Sequence, residues 1–352
     1  MHSISRNGRS LLTCLTALAV SLFSPPARCG EAFFSPDGKT VTTMVGLPTS
    51  ITGLAQIDIA TGKVKDIPLP KALAEVQVDS IAQGSEGEIL FLANDTIWVI
   101  KDGQPAKKVA STAPVKMATG LVVVTQEGPL KDWILVSGVE DENSTSSGTF
   151  FGRKPGSKKF QAIFCRRVAD ASAGVYADDG RFFFASSGDL WEGMIEGRDD
   201  PEGWLGVLVG ARLAPLGYLN TDEANSGSMW VDKVAPAGGW LYSALRGHHM
   251  GAIVRTPVPA KSLVPTAPEG EAPEFATLQD SYKAQAEALT KTEIITDDLE
   301  DAFGLCAIEV DGKTSVFYYT RSDEEDKGPA LMLWSGSGEP KVIGHLPKAK
   351  EQ

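Results

Sequence analysis

The chain has 352 residues, with 33 basic and 45 acidic side chains and a net charge of −12. Such a surface repels phosphate backbones and anionic headgroups, which argues against nucleic acid and against charge-driven lipid docking. Hydrophobic residues make up 42% of the chain, enough for a large folded core, and acidity of this size serves solubility.

The chain opens as an export leader. Arg6 and Arg9 form a basic start, and Leu11 to Phe23 is an apolar run too short to span a bilayer. Small residues then allow a cut after Ala32 (Gly30 and Ala32) or after Cys29 (Ala27 and Cys29). Residues 1–32 are read as a signal peptide and 33–352 as the mature domain, expected in the periplasm or outside the cell. Pro26, Ala27 and Arg28 before Cys29 do not make a lipoprotein box. No later stretch is long and apolar enough to cross a membrane, so no stable insertion is expected. Cys165 and Cys306 lie in the apolar runs QAIFCR and FGLCAIEV and read as two buried thiols, although an exported compartment permits them to pair.

From residue 33 the chain alternates short apolar runs with Gly, Asp, Asn, Pro and Ser, the signature of strands and turns. An acidic residue followed by Gly recurs at Asp37-Gly38, Glu86-Gly87, Glu127-Gly128, Asp179-Gly180 and Asp311-Gly312, with Gly238-Gly239 in the remaining place. Such a pair supplies the positive φ that a tight hairpin needs. An apolar and aromatic strand follows each turn, as in Ile89-Leu90-Phe91 and Phe182-Phe183-Phe184. Further on comes an apolar-Trp pair: Ile97-Trp98, Leu190-Trp191, Leu333-Trp334. Each unit thus reads as four short strands. Units of this kind stacked radially are propeller blades. The fold expected is all-β, a single β-propeller of about six four-stranded blades, or seven if the longest intervals hide one more.

The segment FFSPDGKTVTTM, Phe33 to Met44, resembles the blade motif of TolB-like propeller repeats, and IDIATGKVKDI, Ile57 to Ile67, is similar to the outer strands of such a blade. The resemblance is sharp over residues 33–69 and loose elsewhere. It implies a fold and carries over no functional residue, because propellers host many unrelated activities.

Residues 264–292 break the pattern. After a Pro- and Glu-rich start, Phe275, Leu278, Tyr282, Ala286 and Leu289 fall at helical spacing. This predicts one amphipathic helix inserted before the last blade, with that stripe against the blades.

Chemistry-bearing residues are sparse. The chain has no phosphate-binding glycine loop, no HExxH and no GxSxG. The notable cluster is Arg246, His248 and His249, a speculative binding loop for an anion or metal. Its plainer reading is a polar blade-edge loop, since adjacent histidines in a strand face opposite ways. The acidic runs Glu140-Asp141-Glu142, Asp199-Asp200, Asp297-Asp298 with Glu300-Asp301, and Asp323-Glu324-Glu325-Asp326 read as solvated turns, and none matches an EF-hand loop. No catalytic residue and no cofactor is assigned. The expected function is a non-enzymatic scaffold binding a protein or small extracellular ligand. The alternative is a propeller hydrolase or lyase acting on extracellular glycan or peptide. Ligand and oligomeric state are not written in the sequence.

Overall fold

The computed structural model describes residues 29–347 apart from 31, 48–49, 70, 74–77, 102–103, 140–148, 167–173, 178–179, 187, 198–204, 220–228, 248–250, 265–277, 300–301 and 323–326. Six antiparallel four-stranded blades follow one another along the chain. Their inner strands are Ala32–Phe34, Val78–Gln83, Lys116–Val123, Val175–Tyr176, Trp230–Ala237 and Ala302–Val310. In each blade the chain steps outward from the inner strand to the rim. The chain is a six-bladed β-propeller, as the turn spacing predicts.

All six predicted turns join the first strand of a blade to its second. Gly38, Gly87, Gly128, Gly180, Gly239 and Gly312 have φ between 70° and 150°, the region that side chains with a Cβ rarely adopt. In the first turn the Asp37 carboxylate accepts from the Ser35 hydroxyl at 2.7 Å and from the Lys39 N–H at 3.2 Å, and the Gly38 N–H donates to the Ser35 carbonyl at 2.9 Å. The sequence therefore closes this hairpin locally. Because the strands alternate in direction, these turns lie on one face of the disc, here called the turn face. The connections from second to third strand, and from blade to blade, lie on the opposite, loop face.

Six hydrophobic clusters fill the six seams between neighbouring blades. Consecutive side chains of a strand point to opposite faces, so adjacent aromatics serve different seams. Phe182 and Phe184 pack against blade 3 with Phe150, whereas Phe183 packs against blade 5 with Leu241 and Val254. Phe33 joins blade 2 beside Met44 and Phe91, while Phe34 joins blade 6 beside Phe317 and Tyr319. Each such side chain taken out of water contributes about 1.5–3 kcal/mol. Cys306 is one of the buried residues of the seam between blades 6 and 1; the side chain of Cys165 lies outside the described residues.

Two features are not periodic. The outer strands of blades 3 and 4, Gln161–Arg166 and Gly206–Ala214, pair in parallel from Ile163 opposite Gly206 to Arg166 opposite Val209. The two blades thus form one eight-stranded sheet folded around the Phe150–Phe182–Phe184 core. Second, Cys29–Gly30 pair with Ala82 and Ile81 along the free edge of the inner strand of blade 2.

The predicted helix is present as α1, Leu278–Thr290, between the third strand of blade 5 (Gly251–Pro257) and its outer strand (Glu293–Leu299). Of the described stripe residues only Leu289 faces the blades. Tyr282 is 60% exposed and Ala286 is exposed, whereas Gln285 is buried and Ser281, Ala284, Ala288 and Leu289 are half-buried. Ala288 and Leu289 pack against the core between blades 4 and 5. Phe275 and the side chain of Leu278 lie outside the described residues.

Candidate binding site on the loop face

The loop face is where the inner strands begin. Four of the six have a register shift there: between Val78 and Ser80, Lys116 and Gly120, Val231 and Lys233, and Phe303 and Cys306. Bulges re-aim side chains and cluster beside functional sites. In blade 2 the residue left out of register is Asp79, and in blade 5 it is Asp232.

Asp79 has the most perturbed carboxylate described on this face. Burial disfavours its charge and repulsion from Asp95 adds to this, lifting its pKa from 3.8 to about 6. Asp95 sits at the tip of the hairpin between the second and third strands of blade 2. Asn94 and Asp95 there have φ of 49° and 50°, the paired positive φ of a type I′ turn. The tip is tied to blade 3. The Ala118 N–H donates to the Asp95 carboxylate at 3.3 Å, and the Thr112 N–H donates to the Asp95 carbonyl at 2.9 Å. Ser80, next to Asp79, accepts from the Leu121 N–H at 3.1 Å, so both strands of this notch are fastened to the inner strand of blade 3. The notch thus sets two carboxyl groups at the loop-face end of blade 2, and the raised proton affinity of Asp79 suits it to hold a cation or exchange a proton near neutral pH.

Arg246 ends the second strand of blade 5, also on the loop face. Its guanidinium lies 5.7 Å from the Phe303 ring, which is 5.6 Å from the Tyr319 ring. It therefore fastens blade 5 to blade 6. His248 and His249 lie outside the described residues. Blades 2 and 5 stand opposite one another in a ring of six, so Asp79 and Arg246 belong to opposite sides of the mouth. The acidic runs at 140–142, 300–301 and 323–326 also lie outside the described residues, as do Asp199 and Asp200; Asp297 is exposed on the outer strand of blade 5.

The tryptophans act mainly in packing. Trp98 stacks on Phe91 and Trp191 on Phe184, each at 6.4 Å, and Trp133 and Trp334 are buried. Asp79 was not singled out in the sequence analysis. Its neighbours, VQVDSIAQ, read as an ordinary strand, and only the bulge and the adjoining hairpin tip make it unusual. Among the described residues no three His, Cys, Asp or Glu side chains come together as metal ligands. No described helix is long and apolar enough to cross a membrane.

No family model matches the chain, and no curated protein matches it. Solved propeller-containing structures do. A gluconolactonase from Xanthomonas campestris is 12% identical with a TM-score of 0.48, over 84% of each chain. TolB from Acinetobacter baumannii is 12% identical with a TM-score of 0.39, over 66% of this chain and 52% of its own. A prolyl endopeptidase is 13% identical with a TM-score of 0.40; it matches 90% of this chain, which spans only 42% of that enzyme. The propeller assignment stands on the six blades and six seams; likenesses this distant carry no function across.

Proposed function

We propose that this chain is an exported binding scaffold that engages a protein or small extracellular ligand through its loop face, at the acidic notch of Asp79 and Asp95. The observation that carries this reading is the placement of Asp79. A partly buried carboxylate at a bulge, with a second carboxylate raising its proton affinity further, costs stability that a purely structural position avoids. A positively charged group on a ligand would relieve that cost. The leader-like residues 1–32 support a place in the periplasm or outside the cell.

Pull-down from the native envelope fraction tests the reading. The wild-type chain is expected to retain a partner that Asp79→Asn with Asp95→Asn loses. A partner retained equally by the double variant overturns the notch assignment. No retained partner together with measurable turnover overturns the scaffold reading.

The hydrolase or lyase alternative draws on the same notch, because a carboxyl whose proton affinity is raised is suited to act as a general acid or base near neutral pH. Its test is turnover of chromogenic glycosides and peptides across pH 4–8. Activity that follows an ionisation near 6 and disappears in Asp79→Asn would favour it.

A further inference from the structure

The insert in blade 5 begins with residues 258–264, and blade 4 holds them. The grip centres on Glu192, in the third strand of blade 4 (Asp189–Gly197). Glu192 stands opposite Phe183 and Ala211 in the sheet, which turns it toward the seam with blade 5. Its side chain is fully buried. The Ser262 hydroxyl donates to Oε1 of Glu192, and the Leu263 N–H donates to Oε2 at 3.2 Å. Arg181 Nη1 lies 4.0 Å from the same carboxylate and donates to the Pro259 carbonyl at 2.7 Å. Val258 and Leu263 pack against the seam core, and Val264 is buried. The other charged pair nearby, Asp189 with Arg212 at 3.1 Å, engages Gln285 of α1 instead.

A carboxylate removed from water stays charged only while donors and a cation surround it. An apolar residue at position 192 would hold the segment by packing alone, with no second arrangement available. With glutamate there are two satisfied arrangements. Closed, the strap and Arg181 coordinate the carboxylate; open, water does. A half-detached strap satisfies neither, so the contact behaves as a two-state element. The Val258 N–H donates to the Gly239 carbonyl at 2.9 Å and anchors the start of the strap; residues 259–264 lie beyond the third strand, so their departure breaks no strand pair.

We propose that residues 258–264 form a releasable strap, latched by Glu192 and Arg181 across the seam between blades 4 and 5. Hydrogen exchange of the full chain, read by mass spectrometry, tests this with Ser262→Ala and Glu192→Gln. Amides 262–264 are expected to exchange at least ten-fold faster in both variants, with blades 1, 2 and 6 unchanged. If Glu192→Gln does not fold, Ser262→Ala decides at amide 263, which donates to Glu192; amide 264 donates to the Ser262 hydroxyl itself at 3.0 Å and is freed by that change directly. Unchanged exchange at 262–264 overturns the latch. Protection lost equally throughout the ring also overturns it, since Glu192 would then be part of the global core.

Discussion

Gly62 and Gly344 meet backbone to backbone where the first blade closes on the last. A Cβ on Gly62 would fall 1.7 Å from the Ile343 carbonyl oxygen, and one on Gly344 would fall 2.8 Å from the Gly62 oxygen. Blade 1 is built wholly from the start of the described chain and blade 6 wholly from its end. Among the described residues no strand is exchanged between them, so side-chain packing and this close approach carry the closure.

Gly62→Ala is therefore expected to destabilise the ring by at least ~2 kcal/mol, combining overpacking with a side chain forced into positive φ. Gly87 is the control: its φ is +83° and nothing lies within 4 Å of a Cβ there. Gly87→Ala should cost only the ~1 kcal/mol of the φ term. Equal losses in chemical denaturation would show that the approach at Gly62 relaxes without cost.

Asp79 predicts a pH dependence whose sign follows from its raised pKa. The folded chain holds the proton more tightly than the unfolded chain. The stability this brings is complete below about pH 4 and is lost as pH rises to about 6. Asp79→Asn should leave the melting temperature unchanged at pH 4 and raise it at pH 8. The gain at pH 8 should be about 1–2 kcal/mol, allowing for solvent screening of a part-exposed group. A gain of the same size at both pH values would assign the effect to packing.

On α1 the observed burial keeps Leu289 of the expected stripe and turns Tyr282 and Ala286 to solvent. Leu289→Ala should cost ~1–3 kcal/mol, part of the usual large-to-small penalty because Leu289 is half-buried. Tyr282→Ala should be neutral within ~0.5 kcal/mol, as for an exposed substitution. Thermal unfolding of the two variants side by side checks the helix orientation.

Arg255 spans the seam between blades 5 and 6. Its guanidinium lies 4.3 Å from the Trp240 ring and 5.2 Å from the Trp334 ring, and it donates to the Glu293 carboxylate through Nε at 2.9 Å and Nη2 at 2.5 Å. Lysine cannot reproduce that fork and stack. Arg255→Lys is expected to cost ~1–2 kcal/mol, nearly the full effect of Arg255→Met. A loss under ~0.5 kcal/mol for lysine would mean that charge alone suffices.

The sequence by itself determined the repeating unit and pointed to about six units, with a seventh left open. Asp-Gly and Gly-Gly turns are local chemistry, and two-residue alternation assigns Phe182, Phe183 and Phe184 to two seams with no knowledge of the ring. Tertiary structure decided what depends on neighbours distant in the chain. The parallel pairing of Ile163 with Gly206 has no signature in either strand. The face that α1 buries, with Ala288 and Leu289 inward and Tyr282 outward, was set by its contacts with blades 4 and 5. Asp79 and Glu192 look like ordinary strand carboxylates in sequence. Desolvation acquires a sign and a partner only when other strands surround the group, and that is where the notch and the strap arise.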